Sequence, residues 1–511
     1  MNKYLKKTFA LALVLSVLSG CAKSDEMPQE STAEQTEAVT TTTYPLVTLA
    51  PEEEQVINEI PATYENLGAD RESVERFEAE IADSYDIPVV SVTTSEEILS
   101  REIYVSCVVD VFNVEDSLVI NEASAGIKVR GNSSAYYGDA NQIRRNKAPY
   151  RIKFDTKTNM LGLNGGAECK SWVLLKADWD LVKNDIAFRF GRAIMGEENY
   201  CSDSQLVHLY VNQEFYGVYL LCEQCQINPD RVDISEPEKD YGGVDIGYYL
   251  ELDNYAASEE GNRYLTMDYE EAVVTDIEGT TRQFVPAEYS IKNDLYSQNQ
   301  IDFIEKYMNN LFEIVYLACE QGEYYAFDAN YDLVESQFDN AEDTVNAVMD
   351  VQSVVDLYML YEIVHDYDCG EGSFYMCVDF SAQSNCPKLK FTSPWDFNWA
   401  YEGSLTEYYA AVFNDQSFVA NKGDRSNPWF IILMKQDWFV QMVKEKWTKL
   451  QSESVFANCI EEETAYLELY ESDLNKGNDG ATENAKSLLS WIKKRLRWMD
   501  KRFIIQEESA S

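Results

Sequence analysis

Two aspartates in the second half of the chain are placed where they could act together in phosphoryl transfer. Asp368 and Asp396 each lie at the edge of a short apolar segment, and the runs 374–378 and 388–391 between them predict a pair of strands. A hairpin would place both carboxylates at its open end. In phosphoryl transfer, one Asp orients the hydroxyl of the nucleophile and another holds the metal that bridges the phosphates. Asp is also common in turns for local hydrogen-bonding reasons, so turn and cap roles remain the alternative.

A second group of residues could bind a phosphate. Arg130 ends one predicted strand, and Asn132 and Ser133 follow it in a turn of small hydrogen-bonding residues. Lys147 and Lys153 belong to the next predicted strand. Backbone N–H groups in the turn and a cation on that strand would face the same anion. The same residue types also make ordinary hairpin connections, so both interpretations stay open.

Glu223 directly follows a predicted hairpin formed by residues 205–210 and 212–221. A carboxylate in this position could pair with the strand lysine, as a lysine–glutamate pair does in kinases, or it could simply cap the end of the strand.

Strands in the first half and helices in the second half must position these residues. Alternating or β-branched apolar runs predict strands at 88–92, 104–111, 117–120, 127–130, 147–154, 171–175 and 248–253. Apolar residues at three- and four-residue spacing predict helices at 66–81, 181–195, 301–320 and 351–364, and a last helix that ends near residue 503. Residues 473–480 are predicted to be a loop between helices. The fold class is therefore α+β, with a strand-rich N-terminal part and a helix-rich C-terminal part.

The composition excludes several classes of function. A chain of 511 residues with a formal charge of −47 is repelled by nucleic acid and by anionic lipid headgroups, so nucleic-acid binding is excluded. The acidity also repels a free nucleotide, so an ATP site would need a divalent metal and a local basic cluster. His208 and His365 are the only histidines, too few for a multi-histidine zinc site and an unpromising basis for a His-based triad.

The N-terminal segment has the pattern of a secretory signal. Three lysines precede the apolar run 9–18, which is too short to span a membrane, and small residues then lead to Cys21. The Leu-Ser-Gly-Cys ending resembles the bacterial lipobox, which implies lipidation of Cys21. We therefore expect a signal peptide at 1–20 and a flexible tether rich in Ser, Thr and Glu at 21–65. The folded part would be extracytoplasmic and would contact the bacterial cell membrane through the lipid alone.

Ten cysteines remain after Cys21. This count permits disulfides outside the cytoplasm but is too low for a dense framework of them. Cys377 and Cys386 flank the predicted hairpin turn, where a disulfide and a pair of buried free thiols are equally compatible with the sequence.

Five motifs in a fixed order resemble the spore-coat protein H (CotH) kinase family over residues 87–503. They are Arg130-Gly131-Asn132-Ser133-Ser134, Lys147-x-Pro149-Tyr150, Asp178-x-Asp180, Gly217-Val218-Tyr219-Leu220-Leu221-x-Glu223 and Trp395-Asp396-Phe397. The resemblance implies an atypical protein-kinase-like fold in one domain, residues 86–505. It also implies use of ATP and of Mg²⁺ or Mn²⁺ to phosphorylate Ser or Thr of proteins.

The resemblance also implies roles for individual residues. Asp368 matches the catalytic-loop Asp and Asp396 the metal-binding Asp. Lys147 is the better match to the lysine that binds the ATP phosphates, and Lys153, deeper in the strand, is the second candidate. Ser373 falls where kinases place an Asn on a second metal ion.

This chain departs from the family pattern at the metal site. The family usually has Trp-Asp-x-Asp, whereas Asn398 replaces the second acid here, and Ser373 is a poorer ligand than Asn. Losing a carboxylate would weaken metal affinity. We expect a lipid-anchored atypical Ser/Thr protein kinase that acts on surface proteins, with a weakly active or inactive scaffold for surface assembly or polymer binding as the alternative. A glycan-processing enzyme with two acids is a third, less favoured hypothesis.

Overall fold

The computed structural model describes residues 57–82, 84, 87–131, 133–136, 148–176, 181–258, 261–269, 272–413, 426–477 and 480–505. The predicted signal peptide, Cys21 and the tether up to residue 56 lie outside this part of the chain. The predicted tether also included residues 57–65, and here the structure differs. Ala62 and Tyr64 are buried against the folded part, and Asn58 donates a hydrogen bond to Asp155 at 3.1 Å.

Seven strands close into a barrel in the order β1–β2–β3–β4–β5–β7–β6. They are β1 (Val89–Thr94), β2 (Val105–Phe112), β3 (Ile120–Val129), β4 (Tyr150–Thr158), β5 (Cys169–Leu175), β6 (Ser204–Val211) and β7 (Glu214–Glu223). The pairings are antiparallel except for β1 with β6, which closes the barrel in parallel. Alternate residues of each strand fill the interior, as the period of two requires; on β4 these are Tyr150, Ile152 and Phe154.

A second sheet of five strands has the order β16–β15–β8–β12–β9. Its strands are β8 (Gly247–Asp253), β9 (Tyr264–Met267), β12 (Ala287–Ile291), β15 (Gly372–Asp379) and β16 (Lys390–Thr392). Two small antiparallel pairs stand apart from it, β10 (Val273–Thr275) with β11 (Thr281–Gln283) and β13 (Tyr325–Phe327) with β14 (Leu333–Glu335). The hairpin β15–β16 at one edge of this sheet matches the strand pair predicted for the acids.

Helices predominate in the C-terminal part of the described chain, and the first four of them lie in the strand-rich N-terminal part. The helices are α1 (Arg71–Ala82), α2 (Ser133–Tyr136), α3 (Leu163–Gly166), α4 (Leu181–Met195), α5 (Gln298–Tyr316), α6 (Ala341–Val348), α7 (Val351–Val364), α8 (Pro428–Leu433), α9 (Asp437–Ser452), α10 (Val455–Leu469), α11 (Glu471–Gly477) and α12 (Ala481–Phe503). Every residue of α7 except Gln352 is buried, so α7 is the central helix of the core. None of the helices within the described ranges combines the length and the hydropathy that a membrane crossing needs.

The strand-rich N-terminal part and the helical C-terminal part confirm the predicted division of the chain. The helices predicted at 181–195 and 351–364 are α4 and α7. The strand predicted at 117–120 is wrong, because a 3₁₀ turn occupies Asp116–Leu118 and β3 begins at Ile120. The loop predicted at 473–480 is also wrong in part, since α11 extends to Gly477.

A buried ion pair ties α12 to α7. Arg495 donates a hydrogen bond to Glu362, and both side chains are fully buried. Arg495 also donates to the carbonyl of Glu407 at 2.7 Å, while the Glu362 carboxylate accepts the backbone amides of Tyr409 and Ala410 at 2.9 Å. The pair therefore neutralises both buried charges and provides hydrogen-bond partners for the backbone of residues 407–410.

Replacing Arg495 with Met is expected to lower the free energy of unfolding by about 3–5 kcal/mol, because Glu362 then keeps its burial without its cation. Urea unfolding measures this loss. Arg497→Met, on the exposed face of the same helix, is the matched control and should change stability by less than about 0.5 kcal/mol. Equal urea midpoints for both variants would contradict the role given to the pair.

Two buried carboxyls face each other between α4 and α10. Burial, followed by the charge of Asp185, raises the pKa of Glu463 well above its ordinary value, and burial likewise raises the pKa of Asp185. Arg189 opposes both shifts through a 3.1 Å ion pair with Glu463. The folded protein therefore keeps a proton here that the unfolded chain releases at a lower pH.

Stability should consequently fall as the pH rises above the ordinary carboxyl pKa of about 4.3 toward the raised value. Glu463→Gln has no such proton to release, so its free energy of unfolding should decline less steeply, by up to about 1.4 kcal/mol per pH unit. Urea unfolding between about pH 5 and pH 8 tests this. Glu461→Gln, an exposed neighbour, should keep the wild-type slope.

Candidate active site

A cleft of about 530 Å³ lies between the barrel and the five-stranded sheet. Its walls come from the ends of β3, β4, β5 and β7, from β8 and β15, and from the turns beside β15 and β16. Its polar and charged lining residues include Arg101, Arg130, Ser134, Lys176, Asn184, Glu251, Asp253, Lys292, Asp368, Glu371, Ser373, Asp396 and Asn398. Acidic and basic side chains from the barrel and from the second sheet therefore line one cleft.

The hairpin β15–β16 brings Asp368 and Asp396 into this cleft. Asp368 belongs to the 3₁₀ turn Tyr367–Gly370 that precedes β15, and Asp396 follows β16. Antiparallel pairing, with Tyr375 opposite Thr392, returns the chain to the edge from which it started. Two residues that are distant in sequence thus line a common wall.

Asp396 is placed among groups of both signs. Burial raises the pKa of its carboxyl above the ordinary value, while the Arg130 guanidinium and the backbone amide of Asn398 act in the opposite direction and Glu251 adds to the rise. Arg130 also lies over the Trp395 ring, 5.4 Å from its centroid. The guanidinium of Arg130, which follows barrel strand β3, therefore lies near the carboxyl of Asp396, which follows β16 of the second sheet.

Asp366 adds a third carboxyl to this group. It is 1% exposed, and burial, followed by the charges of Asp368 and Asp396, raises its pKa well above the ordinary range. Its carboxylate accepts the backbone amide of Asp368 at 3.4 Å, and the more distant Lys183 compensates only in part. Ionisation of all three carboxyls is therefore unfavourable unless a further cation is present.

Asn184 on α4 fixes the turn that carries Asp396. Its amide nitrogen donates to Asn398 Oδ1 at 2.9 Å, and its amide oxygen accepts the backbone N–H of Phe397 at 2.9 Å. Asp396 itself has a positive φ of 60°, a conformation that an L-residue keeps only when its surroundings impose it. Asn184 was not among the predicted site residues, although a polar residue on the apolar face of a predicted helix can indicate such a role.

Lys176 was also missed. It directly follows β5, is 5% exposed and lines the cleft. Its Nζ donates to the carbonyl of Val218 at 3.1 Å and lies 4.9 Å from the centroid of the Tyr219 ring. Together with Arg130, it places a second cation on the barrel side of the cleft.

Five of the predicted site residues line the cleft together: Arg130, Asp368, Ser373, Asp396 and Asn398. Ser133 begins the short helix α2, while Asn132 and Lys147 lie outside the described residues.

Lys153 and Glu223 are placed elsewhere, contrary to their predicted cofactor-binding positions. Lys153 alternates with Ile152 and Phe154, whose side chains fill the barrel, so it lies on the outer surface of β4 and is not among the cleft residues. Glu223 pairs with Arg231 at 3.0 Å, and both side chains are buried. The predicted kinase-like pairing of Glu223 with a strand lysine is therefore replaced by a structural ion pair.

Glu251 and Asp253 of β8 also line the cleft. Glu251 pairs with Lys292 at 2.8 Å and accepts a hydrogen bond from the Tyr375 hydroxyl at 2.6 Å. β8 lies in the middle of the second sheet and pairs with β15, the strand that follows the Asp368 turn.

The donor set suits a hard divalent cation, because carboxylate, hydroxyl and amide oxygens are the ligands that Mg²⁺ and Mn²⁺ prefer. Within the described ranges, however, three or more Asp, Glu, His or Cys side chains do not converge closely enough to form a metal site by themselves. The residues therefore fit a metal held partly by phosphate oxygens and water, and do not form a closed protein cage.

The chain matches the model of a known protein family. A family model described as CotH kinase protein matches residues 127–499, which contain the cleft from β3 to the last helix. None of the curated proteins compared with the chain matches it significantly.

Asn184→Ala is expected to lower the free energy of unfolding by about 1–3 kcal/mol, because the amide of Phe397 loses its acceptor in a buried place. Urea unfolding measures the loss. Asn458→Ala, at an exposed position of helix α10, is the matched control and should be neutral or slightly stabilising, since Ala favours helix more than Asn. The tie between α4 and the Asp396 turn would be refuted by equal effects of the two substitutions.

Proposed function

Because the chain belongs to the CotH kinase protein family, which supports a protein kinase-like function, we propose that it transfers the γ-phosphoryl group of ATP to Ser or Thr of proteins. The observation that carries this proposal is the meeting of Asp368 and Asp396 with two barrel cations, Arg130 and Lys176, in one cleft. Acids alone would repel the phosphates, and cations alone would not activate a hydroxyl. Both are needed for phosphoryl transfer.

The proposed fold is an atypical protein-kinase-like one. The barrel would act as the nucleotide-covering lobe, and the second sheet with the helices around α7 would act as the lobe that carries the catalytic acids. In support, the cleft is lined by residues of both parts, among them the two acid turns and the strand ends that carry Arg130 and Lys176.

Each cleft residue has a role in this proposal. Asp368 would orient the hydroxyl of the acceptor and take up its proton. Asp396, Ser373 and Asn398 would hold Mg²⁺ or Mn²⁺, which when bound neutralises charge on the phosphates. Arg130 and Lys176 would bind phosphate oxygens from the barrel side. Lys147 stays a prediction for the same task.

The location and the partners are proposed from the sequence. The signal pattern at 1–20 and the lipobox-like ending at Cys21 support lipid anchoring to the bacterial cell membrane with the folded part outside the cytoplasm. The net charge of −47 supports contact with protein substrates and not with nucleic acid, and membrane contact through the lipid alone.

A kinase-like scaffold is the second candidate, and the environment of Asn398 favours it. The amide oxygen of Asn398 already accepts a hydrogen bond from Asn184 at 2.9 Å, and an amide carries no charge with which to bind a metal. Ser373 likewise contributes a neutral hydroxyl. In this case the cleft would bind nucleotide and metal without efficient transfer.

Labelled ATP with Mg²⁺ or Mn²⁺ tests the proposal on the purified full chain, with autophosphorylation as the measurement. Asp368→Asn and Asp396→Asn keep the size of the side chains but remove the charge, so each should reduce incorporation on the order of a hundredfold or more. Asp116→Asn, on an exposed turn, should keep the wild-type rate.

The outcomes separate the two candidates. Loss of incorporation in both cleft variants supports the enzyme. Folded wild-type protein that is stabilised by ATP and Mn²⁺ in a thermal unfolding assay, but incorporates no label, supports the scaffold. Equal incorporation by all forms means that Asp368 and Asp396 do not carry the chemistry.

A further inference from the structure

We propose that Cys377 and Cys386 form an intrachain disulfide that closes the turn between β15 and β16. Their Sγ atoms lie 3.7 Å apart, joined by a thiol–thiol hydrogen bond across the hairpin. Both residues are buried in the reduced form that the structure shows. The bond would be a covalent modification near the turn of the hairpin, whereas Asp368 and Asp396 lie at its open end. Its formation does not depend on phosphoryl transfer.

The backbone around the two thiols is already arranged for a cross-link. Cys377 lies opposite Lys390 in the strand pair, and the amide of Asp379 donates to the carbonyl of Cys386 at 2.8 Å. The Cys386 thiol is also 3.8 Å from the carbonyl of Cys377. Since a disulfide has an S–S length of about 2.05 Å, the sulfurs must approach by only roughly 1.7 Å, a movement within reach of side-chain rotation.

Cys225, another buried cysteine, has a different contact. Cys225 is directed toward the Ser202 hydroxyl, with its Sγ 3.9 Å from Ser202 Oγ. Competition from this cysteine is a defined alternative, which peptide mapping can detect.

An oxidant can reach the pair from a second cavity, which shares no lining residue with the cleft that contains Asp368 and Asp396. This cavity of about 940 Å³ is lined by Cys377 and Cys386 together with residues of the segments 196–201 and 229–234. Cys386 is the more accessible of the two, at 7% exposure against 3% for Cys377. The space is sufficient for a low-molecular-mass disulfide to approach Cys386 first.

The oxidant required is a disulfide such as oxidised glutathione. The Cys386 thiolate attacks one glutathione sulfur, and the glutathione disulfide bond breaks to release one glutathione thiolate. Cys377 then loses its proton to solvent, and its sulfur attacks Cys386 Sγ to release the second glutathione thiolate. The protein loses two electrons and two protons, and the oxidant is reduced to two thiols. The hydrogen bond to Cys386, and then burial, raise the pKa of Cys377, so this second step should quicken as the pH rises.

The test uses the full chain, reduced with dithiothreitol, desalted and incubated with oxidised glutathione. Remaining thiols are alkylated, and the protein is cleaved at Phe380 with chymotrypsin before mass spectrometry. We expect the peptides of Cys377 and Cys386 to appear as one linked species that separates on reduction. Cys386→Ser and Cys377→Ser should remove that species, whereas Cys319→Ser should retain it. The oxidised wild-type protein should also unfold at a higher temperature than the reduced form, because the closed loop has less freedom when unfolded.

Two results would overturn the proposal. One is alkylation of both cysteines after oxidation of protein that circular dichroism shows to be folded. The other is linkage of Cys377 to a cysteine other than Cys386. Because peptide mapping of the wild-type chain is sufficient for either result, a serine variant that fails to fold does not obscure the answer. Absence of label transfer from ATP has no bearing on this experiment.

Discussion

Antiparallel pairing of β15 with β16 is the constraint on which the cleft depends. It returns the chain to its starting edge, so the turn before β15 and the turn after β16 must be neighbours whatever their side chains are. Helix α7, buried except at Gln352, leads directly into the first turn, and the hydrogen bonds of Asn184 hold the second. The positions of Asp368 and Asp396 are therefore fixed by the core of the protein, while their carboxylates remain in a space that a ligand can enter.

The distribution of charge separates structural acids from the acids of the cleft. In a chain with a net charge of −47, buried carboxylates are costly unless they have a cation, and the structure supplies one in most places. Glu223 has Arg231, and Glu362 has Arg495. The group of Asp366, Asp368 and Asp396 is different, because the charges of Asp368 and Asp396 add to the effect of burial in raising the pKa of Asp366. Three neighbouring carboxyls with only partial compensation, from Arg130 at Asp396 and from Lys183 at Asp366, fit a site completed by a divalent cation.

The sequence predicted elements with strong periodicity and failed where long-range orientation decides. The apolar spacing of α7 and the alternation of the barrel strands are local properties, so α7, β6, β7 and the hairpin of the acids could be predicted. Which side of β4 faces the barrel interior depends on closure of the sheet, and this is why Lys153 was expected near the cleft and lies on the outer surface. Glu223 was placed correctly at the end of β7, but its partner Arg231 is reached only through the fold of the following loop. Asn184 and Lys176 had no motif, because their partners are more than forty residues away in sequence for Lys176 and more than two hundred for Asn184.

Asn398, in place of an acid, changes which groups would supply the negative charge for a bound metal. An amide oxygen can bind Mg²⁺, but it adds no charge, so the metal would depend more on Asp396 and on the phosphates of the nucleotide. Since Asn184 holds the Asn398 amide by donating to its oxygen, one lone pair of that oxygen remains for a metal. Burial and the charges of Asp368 and Asp396 raise the pKa of the neighbouring Asp366, so a bound cation would favour the ionised form of that carboxyl. Metal binding would then be weak in the empty cleft and strong once a triphosphate supplies the missing negative ligands, so the nucleotide and the metal would be bound as one unit.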